Sequence, residues 1–240
     1  MNTPQDVSHI KSVFHLSSKF LLLPMMIAFS SLSACAQEIN TVLPVPTVNE
    51  SVKNNREVIV LSGGCFWGVQ GVFQHVKGVT SAVSGYAGGK ASTAQYETVS
   101  SGTTGHAESV RVEFDPKQVS LGEILRIYFS VAHDPTELNH QGPDTGTQYR
   151  SAIWTTTPDQ QKVATSYVGQ LDQANIFSHK IVTQINPLKG FYPAEDYHQD
   201  YLTLHPNNPY IAQNDLPKIA NLKRLYPTDF RVEPVLVGEH

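Results

Sequence analysis

The side chain best suited to nucleophilic chemistry in this 240-residue chain is a thiol, and there are two of them, Cys35 and Cys65. Cys65 lies in SGGCFWG (62–68), between a glycine pair and two large aromatics. The glycines let the backbone turn sharply and keep the sulfur approachable. From Cys65 onward, Val69, Val72, Phe73 and Val76 recur at helical spacing. Cys65 therefore falls at or near the first turn of a helix, where the dipole and free amides stabilise a thiolate. A buried, inert cysteine is the competing reading, and Phe66 and Trp67 taken alone read as core packing. Glu108, in TGHAE (104–108), reads by itself as a solvated strand end. It becomes a proton donor only where burial raises its pKa.

The ten histidines and their carboxylate neighbours suggest metal binding at first sight. His106 lies near Glu108, His133 beside Asp134, and His198 among Glu195, Asp196 and Asp200. None follows a zinc spacing such as His-Glu-x-x-His, so no metal is expected. His198 and Glu195 read instead as supports of a pocket. The formal net charge is −4, and Lys and Arg form no clusters, which argues against a nucleic-acid partner.

The elements that must position these residues follow from period and turn signals. EVIVLSGG (57–64) reads as a buried strand running into a tight turn, and VTSAVSGY (79–86) as a second strand. Val110, Val112 and Phe114 alternate with charged residues as a half-buried strand. Ser120 and Glu123 form a capping-box pattern opening a helix through Phe129. A long polar loop (133–150) leads to a short strand, SAIWT (151–155), and Thr157 caps a further helix. IVTQI (181–185) reads as a strand and AEDYHQDYL (194–202) as a short helix. This order predicts an α+β fold, a two-layer α/β sandwich with a mixed, ferredoxin-like sheet.

Four blocks, GCFWG (64–68), TGHAE (104–108), GTQYRS (146–151) and YPAEDYHQDYL (192–202), together resemble the A-type peptide methionine sulfoxide reductases. The resemblance covers roughly residues 55–205. It implies reduction of methionine-S-sulfoxide, free or in proteins, each epimer having its own enzyme. Cys65 would attack the sulfoxide sulfur, release methionine and become a sulfenic acid. Phe66 and Trp67 would form an apolar wall for the S-methyl group. Glu108 would act as general acid, Tyr96 and Tyr149 would hold the sulfoxide oxygen, and Asp144 would line the pocket. No bound cofactor is implied; the partners are oxidised proteins or free methionine sulfoxide and an external thiol reductant, thioredoxin-like or another thiol donor.

The departures are informative. Many relatives carry Glu where this chain has Gln70, a difference expected to matter little. Some carry Cys where Ser100 stands, and many have resolving cysteines in the tail. Residues 205–240 contain none. The pattern is that of a one-cysteine enzyme, whose sulfenic acid condenses directly with an outside thiol.

At the N-terminus, Lys11 and Lys19 precede the apolar run FLLLPMMIAF (20–29) and the small residues SSLSAC. The run is too short to span a bilayer and reads as the core of a secretion signal. LSAC (32–35) resembles the lipobox of bacterial lipoproteins, which implies lipidation of Cys35. The expected layout is a signal peptide at 1–34, a lipid-anchored tether at 35–55, the reductase domain at 56–205, and a tail at 206–240 packed on or trailing it. The expected location is the periplasmic side of the cell envelope, membrane-bound through Cys35. Ala36 favours the outer membrane over the inner. All three methionines (Met1, Met25, Met26) then lie in the leader.

Two other classes fit the thiol alone. A cysteine hydrolase would recruit Cys65 with a His and a carboxylate, but gives no reason for Cys-Phe-Trp. A non-catalytic peptide-binding lipoprotein would bind unchanged after Cys65→Ser.

Overall fold

Strand β1 (Glu57–Ser62) is apolar on both faces because two cores need it. Ile59 and Leu61 enter the main core beneath the helices, while Val60 joins Ala87, Ala107, Ala152 and Trp154 on the opposite face. The computed structural model describes residues 42–52 and 54–238; the expected signal at 1–34 and Cys35 lie outside them. After β1 come α1 (Phe66–Gln74), β2 (Val79–Ala87), α2 (Tyr96–Val99), β3 (Ala107–Phe114) and α3 (Leu121–Ile127). Next are the two-residue strands β4 (His140–Gln141) and β5 (Asp144–Thr145), then β6 (Ala152–Thr155) and α4 (Pro158–Gln173). The chain ends with β7 (Gln184–Pro187), β8 (Phe191–Pro193), α5 (Tyr201–Leu204) and α6 (Leu216–Leu225).

The main sheet has the order β7-β6-β1-β3-β2-β8. Its central pairs are antiparallel, with Ile59 opposite Val112 and Leu61 opposite Val110, and β6 pairs β7 in parallel. The fold is thus α+β with a mixed sheet. Both expected helix caps form: Ser120 Oγ accepts from Glu123 N at 3.2 Å, and Thr157 Oγ1 from Gln160 N at 3.1 Å. Each satisfies an amide that has no partner within its helix. Beyond α3 the helix widens into one buried π turn, Tyr128–Ala132, which delivers His133 beside β1.

Three expectations change. The strand predicted at 181–185 begins at Gln184, because Ile181 N bonds Asp172 Oδ1 and Val182 N bonds Pro135 O. Those amides are taken by α4 and by the 133–150 loop rather than by β6. The helix predicted at 194–202 breaks into a 3-10 turn, Asp196–His198, and α5. Between them Asp200 adopts a left-handed conformation (φ 58°), and its carboxylate accepts from Gln74 Nε2 and Val237 N.

The third change concerns the tether. Residues 42–50 form a strap on α3 and α4 rather than a free linker. Leu43 is 1 % exposed, and its carbonyl accepts from Arg126 Nε at 2.6 Å. Tyr167 OH donates to Pro44 O, Gln170 Nε2 to Val45 O, and Gly122 N to Asn49 Oδ1. An extended Pro- and Val-containing segment has no helical period, so only these side-chain partners reveal that it docks. The tail is equally engaged: Leu222 and Tyr226 are buried, and Ser130 Oγ donates to Tyr226 OH at 2.8 Å.

The strap makes a differential prediction. Leu43→Ala is expected to destabilise the protein by about 2–3 kcal/mol, in the range for losing a buried leucine. Val45→Ala, at a side chain 63 % exposed, is expected to change stability by less than about 0.5 kcal/mol. Urea unfolding midpoints of the two variants check this.

Candidate active site

Cys65 immediately precedes α1, at the residue where β1 has turned into the helix. Gly64 has φ +86°, and a β-carbon there would lie 2.6 Å from Gln141 Cγ. A β-carbon on Gly63 would lie 2.8 Å from His133 Cγ. The glycines therefore serve close approach as well as turning: the 133–144 loop lies directly over them. A cavity of about 200 Å³, lined by Cys65, Asp144, Tyr210 and Lys218 among others, opens onto the sulfur.

Glu108 is the second residue of β3, paired with Tyr86 of β2. It is 3 % exposed, and its Oε2 accepts a hydrogen bond from Phe66 N at 3.0 Å. A solvated strand end it is not. Burial pushes its carboxyl up to about 8, reinforced by the charges of Asp144 and Asp215 and opposed by the Phe66 amide. The same carboxyls act on the Cys65 thiol. Burial, then Glu108, Asp215 and Asp144 push the Cys65 thiol well above its ordinary range, while the Trp67 amide pulls it down. The helix terminus does favour a thiolate, as the sequence suggests, but in the resting site burial and three carboxyls outweigh it.

The two phenols converge on this pair. Tyr96 opens α2, where its amide donates to Glu195 Oε1 at 2.9 Å; Glu195 Oε2 in turn accepts from Tyr86 OH at 2.8 Å. Tyr149 ends a 3-10 turn at Thr147–Tyr149, fixed by Arg150, whose guanidinium donates to the carbonyls of Gly105, His106 and Thr147. Burial raises both phenols, followed by the charge of Glu108; Cys65 also contributes to each. Both hydroxyls stay protonated donors at neutral pH.

Phe66 and Trp67 form the aromatic wall. Phe66 is 1 % exposed and packs 5.8 Å from the Tyr86 ring and 5.0 Å from His198. Trp67 stacks on Tyr201 at 3.9 Å and donates from Nε1 to His198 Nδ1 at 3.2 Å. An indole only donates, so Nδ1 is the acceptor and neutral His198 carries its proton on Nε2. Burial lowers the His198 pKa and keeps the ring neutral. Asp144, on β5, is half-buried and accepts from Tyr210 OH through Oδ2.

All seven residues singled out at 65–149 thus cluster around one sulfur, while Cys35 lies outside the described residues. Gln70 proves a structural tie. Its amide donates to Ala82 O and Gln199 Oε1, and its Oε1 accepts from Asp200 N. A carboxylate could not make the two donations. Sequence reasoning missed Tyr210, Asp215 and Lys218, which the tail brings to the site. Their one visible signal is Asp-Leu-Pro at 215–217, a helix opening that says nothing about where the helix packs.

One thiol, a protonated carboxyl and two phenols against an aromatic wall are the equipment of a thiol-dependent oxidoreductase. The chain matches the model of the peptide methionine sulfoxide reductase family over residues 57–229 and belongs to that family. It is 57% identical over 190 residues to peptide methionine sulfoxide reductase MsrA 2 of Mesorhizobium japonicum, covering 79% of this chain and 97% of that one. The corresponding protein of Synechocystis sp. is 45% identical over 196 residues, covering 80% and 92%. Among solved structures, methionine sulfoxide reductase A of Corynebacterium diphtheriae superposes with a TM-score of 0.56 at 36% identity, covering 70% of this chain and 86% of that one. Reduced Mxr1 of Saccharomyces cerevisiae gives 0.58 at 33% identity, covering 68% and 92%. The chain is an A-type methionine sulfoxide reductase and reduces methionine sulfoxide.

With a pKa of about 8, Glu108 holds its proton below that pH and loses it above. Single-turnover methionine formation is therefore expected to fall as pH rises through about 8. Glu108→Gln is expected to slow it by about 10²–10⁴-fold, the usual worth of a general acid. Rapid-quench measurements across pH on both proteins test this.

Proposed function

We propose that Cys65 is the nucleophile and Glu108 the general acid in the reduction of methionine-S-sulfoxide, free or within proteins. The observation that carries this is Glu108: a buried carboxyl whose pKa is about 8, hydrogen-bonded to the amide of the residue after Cys65. Phe66 and Trp67 receive the S-methyl group, which selects one epimer, and Tyr96 and Tyr149 hold the oxygen. Asp144, tied to Tyr210, lines the pocket on the cavity side.

The Cys65 sulfur attacks the sulfoxide sulfur while Glu108 gives its proton to the oxygen, and the thiol proton replaces it on Glu108. The new sulfur–sulfur bond and the substrate's sulfur–oxygen bond then break as the hydroxyl passes to the Cys65 sulfur, so methionine leaves and Cys65 is left as a sulfenic acid. A first external thiol displaces water to form a mixed disulfide. A second releases Cys65 as the thiol and leaves as a disulfide. Cys65 is the one free cysteine among the described residues, and residues 205–240 contain none, which supports an outside reductant, thioredoxin-like or another thiol.

The same reading places the enzyme on the periplasmic side of the cell envelope, where it repairs oxidised proteins. Supporting it are the apolar run at 20–29 and the LSAC motif, with lipid on Cys35 and a signal at 1–34. We also read the central order β6-β1-β3-β2, linked by α1 and α3, as a ferredoxin-like split βαβ unit.

Mixed with excess methionine-S-sulfoxide and no reductant, the enzyme is expected to form about one methionine per Cys65, with a trappable sulfenic acid at that residue. An intact thiol and no methionine would sink the catalytic assignment. For the anchor, Cys35→Ser is expected to move the protein from the membrane to the soluble fraction. Unchanged fractionation would remove the lipid from the account.

A further inference from the structure

Asp215 stands in the last turn before α6 and has no exposed surface. Its Oδ1 lies 3.1 Å from Lys218 Nζ, one turn further on, and its Oδ2 accepts no hydrogen bond. The pair presses on the first turn of α1. A β-carbon on Gly68 would run into Asp215 Oδ1 and lie 2.8 Å from Lys218 Nζ. Gly68 is three residues beyond Cys65, so the buried carboxylate abuts the electropositive end of the nucleophile's own helix. Lys218 reaches the cavity that opens onto the sulfur and is, among the described residues, the only lysine or arginine lining it.

Stability does not explain this arrangement. A buried ion pair is often no more stabilising than apolar residues of the same volume, and here half of the carboxylate is left without a donor. Its position gives a better reason. A helix N-terminus stabilises a negative charge, and a carboxylate already seated there competes with a thiolate for that stabilisation. The other titratable groups around Cys65 are Glu108 from β3, Asp144 from β5, Tyr96, Tyr149 and Tyr210, and His133 and Asp134 in the cavity wall. His133 is neutral, since burial takes its pKa down to about 3. Lys218 is therefore the cation that limits how strongly the carboxylates act on the sulfur.

We propose that Asp215, held by Lys218, is a positioning residue that keeps the Cys65 sulfur protonated in the resting site and so slows its reaction with adventitious oxidants. A thiolate is the form that peroxides and electrophiles attack. An enzyme whose substrates are made by oxidants, and in which Cys65 is the one free cysteine among the described residues, gains from withholding it. That benefit rests on the reductase reading; the protonation state does not.

The test is the pH profile of Cys65 alkylation by iodoacetamide, an uncharged probe, in the full chain, read on the Cys65 peptide by mass spectrometry. Asp215→Asn is expected to lower the midpoint by about one pH unit and to speed alkylation and peroxide inactivation at neutral pH by about tenfold, the scale of one neighbouring charge. Lys218→Gln is expected to move the midpoint the opposite way. If Asp215→Asn does not fold, Lys218→Gln, whose side chain is partly exposed, carries the test alone. A folded Lys218→Gln whose profile overlies the parent's, or a shift of either variant in the wrong direction, overturns the proposal. Single-turnover methionine formation on the same samples separates the two readings. Methionine without a shift removes only this inference, and a shift without methionine removes only the catalytic assignment.

Discussion

One hydrogen bond joins the sheet to the chemistry: the Phe66 amide donating to Glu108. It satisfies an amide that α1 cannot satisfy itself, and it fixes the proposed acid within one residue of the proposed nucleophile. Neither partner is free to move. Glu108 is held by the β2–β3 ladder opposite Tyr86, and Phe66 by α1 packed on that same sheet. Burial of this bond makes the carboxyl a proton donor near neutrality, and the same burial raises the thiol. The Glu108 carboxyl and the Cys65 thiol are thus both tuned at one dry junction between β3 and α1, with the aromatic wall over it.

Around that junction the protein is assembled from distant segments with little slack. Glycines 63, 64 and 68 admit His133, Gln141 and Asp215 to places a β-carbon would fill. Glu195 reaches Tyr96 and Tyr86, and Gln199 and Asp200 lock onto Gln70 and Gln74 of α1. The 192–202 block is therefore a brace for α1 and α2. Its left-handed break at Asp200 lets one short segment serve both.

Cys65 stood out from its glycines and its place at a helix start, whereas Phe66, Trp67 and Glu108 were singled out through the resemblance of their contiguous blocks to the family, since their residue types alone read as core packing and a strand end. The caps at Ser120 and Thr157 were legible because capping is local. What the sequence hid is tertiary. HAESV looks like an exposed strand end, and nothing local says that α1 closes over Glu108. The helix N-terminus was visible, but not the carboxyls that outweigh it, since Asp215 comes from a tail with no tie in sequence to residue 65. The strap at 42–50 was unreadable for the same reason: its partners, Arg126, Tyr167 and Gln170, lie more than eighty residues away.

The docked strap bears on where such an enzyme can work. In the proposed anchored form, only residues 36–41 separate the lipid on Cys35 from the first docked residues, a reach of at most about 20 Å. A free tether running to residue 55 would have let the domain sweep a volume several times deeper. In that form the strap would confine the Cys65 sulfur to a thin layer above the membrane. Encounter would then become a search over a surface, and damaged proteins held in that layer would be repaired ahead of those that merely diffuse past.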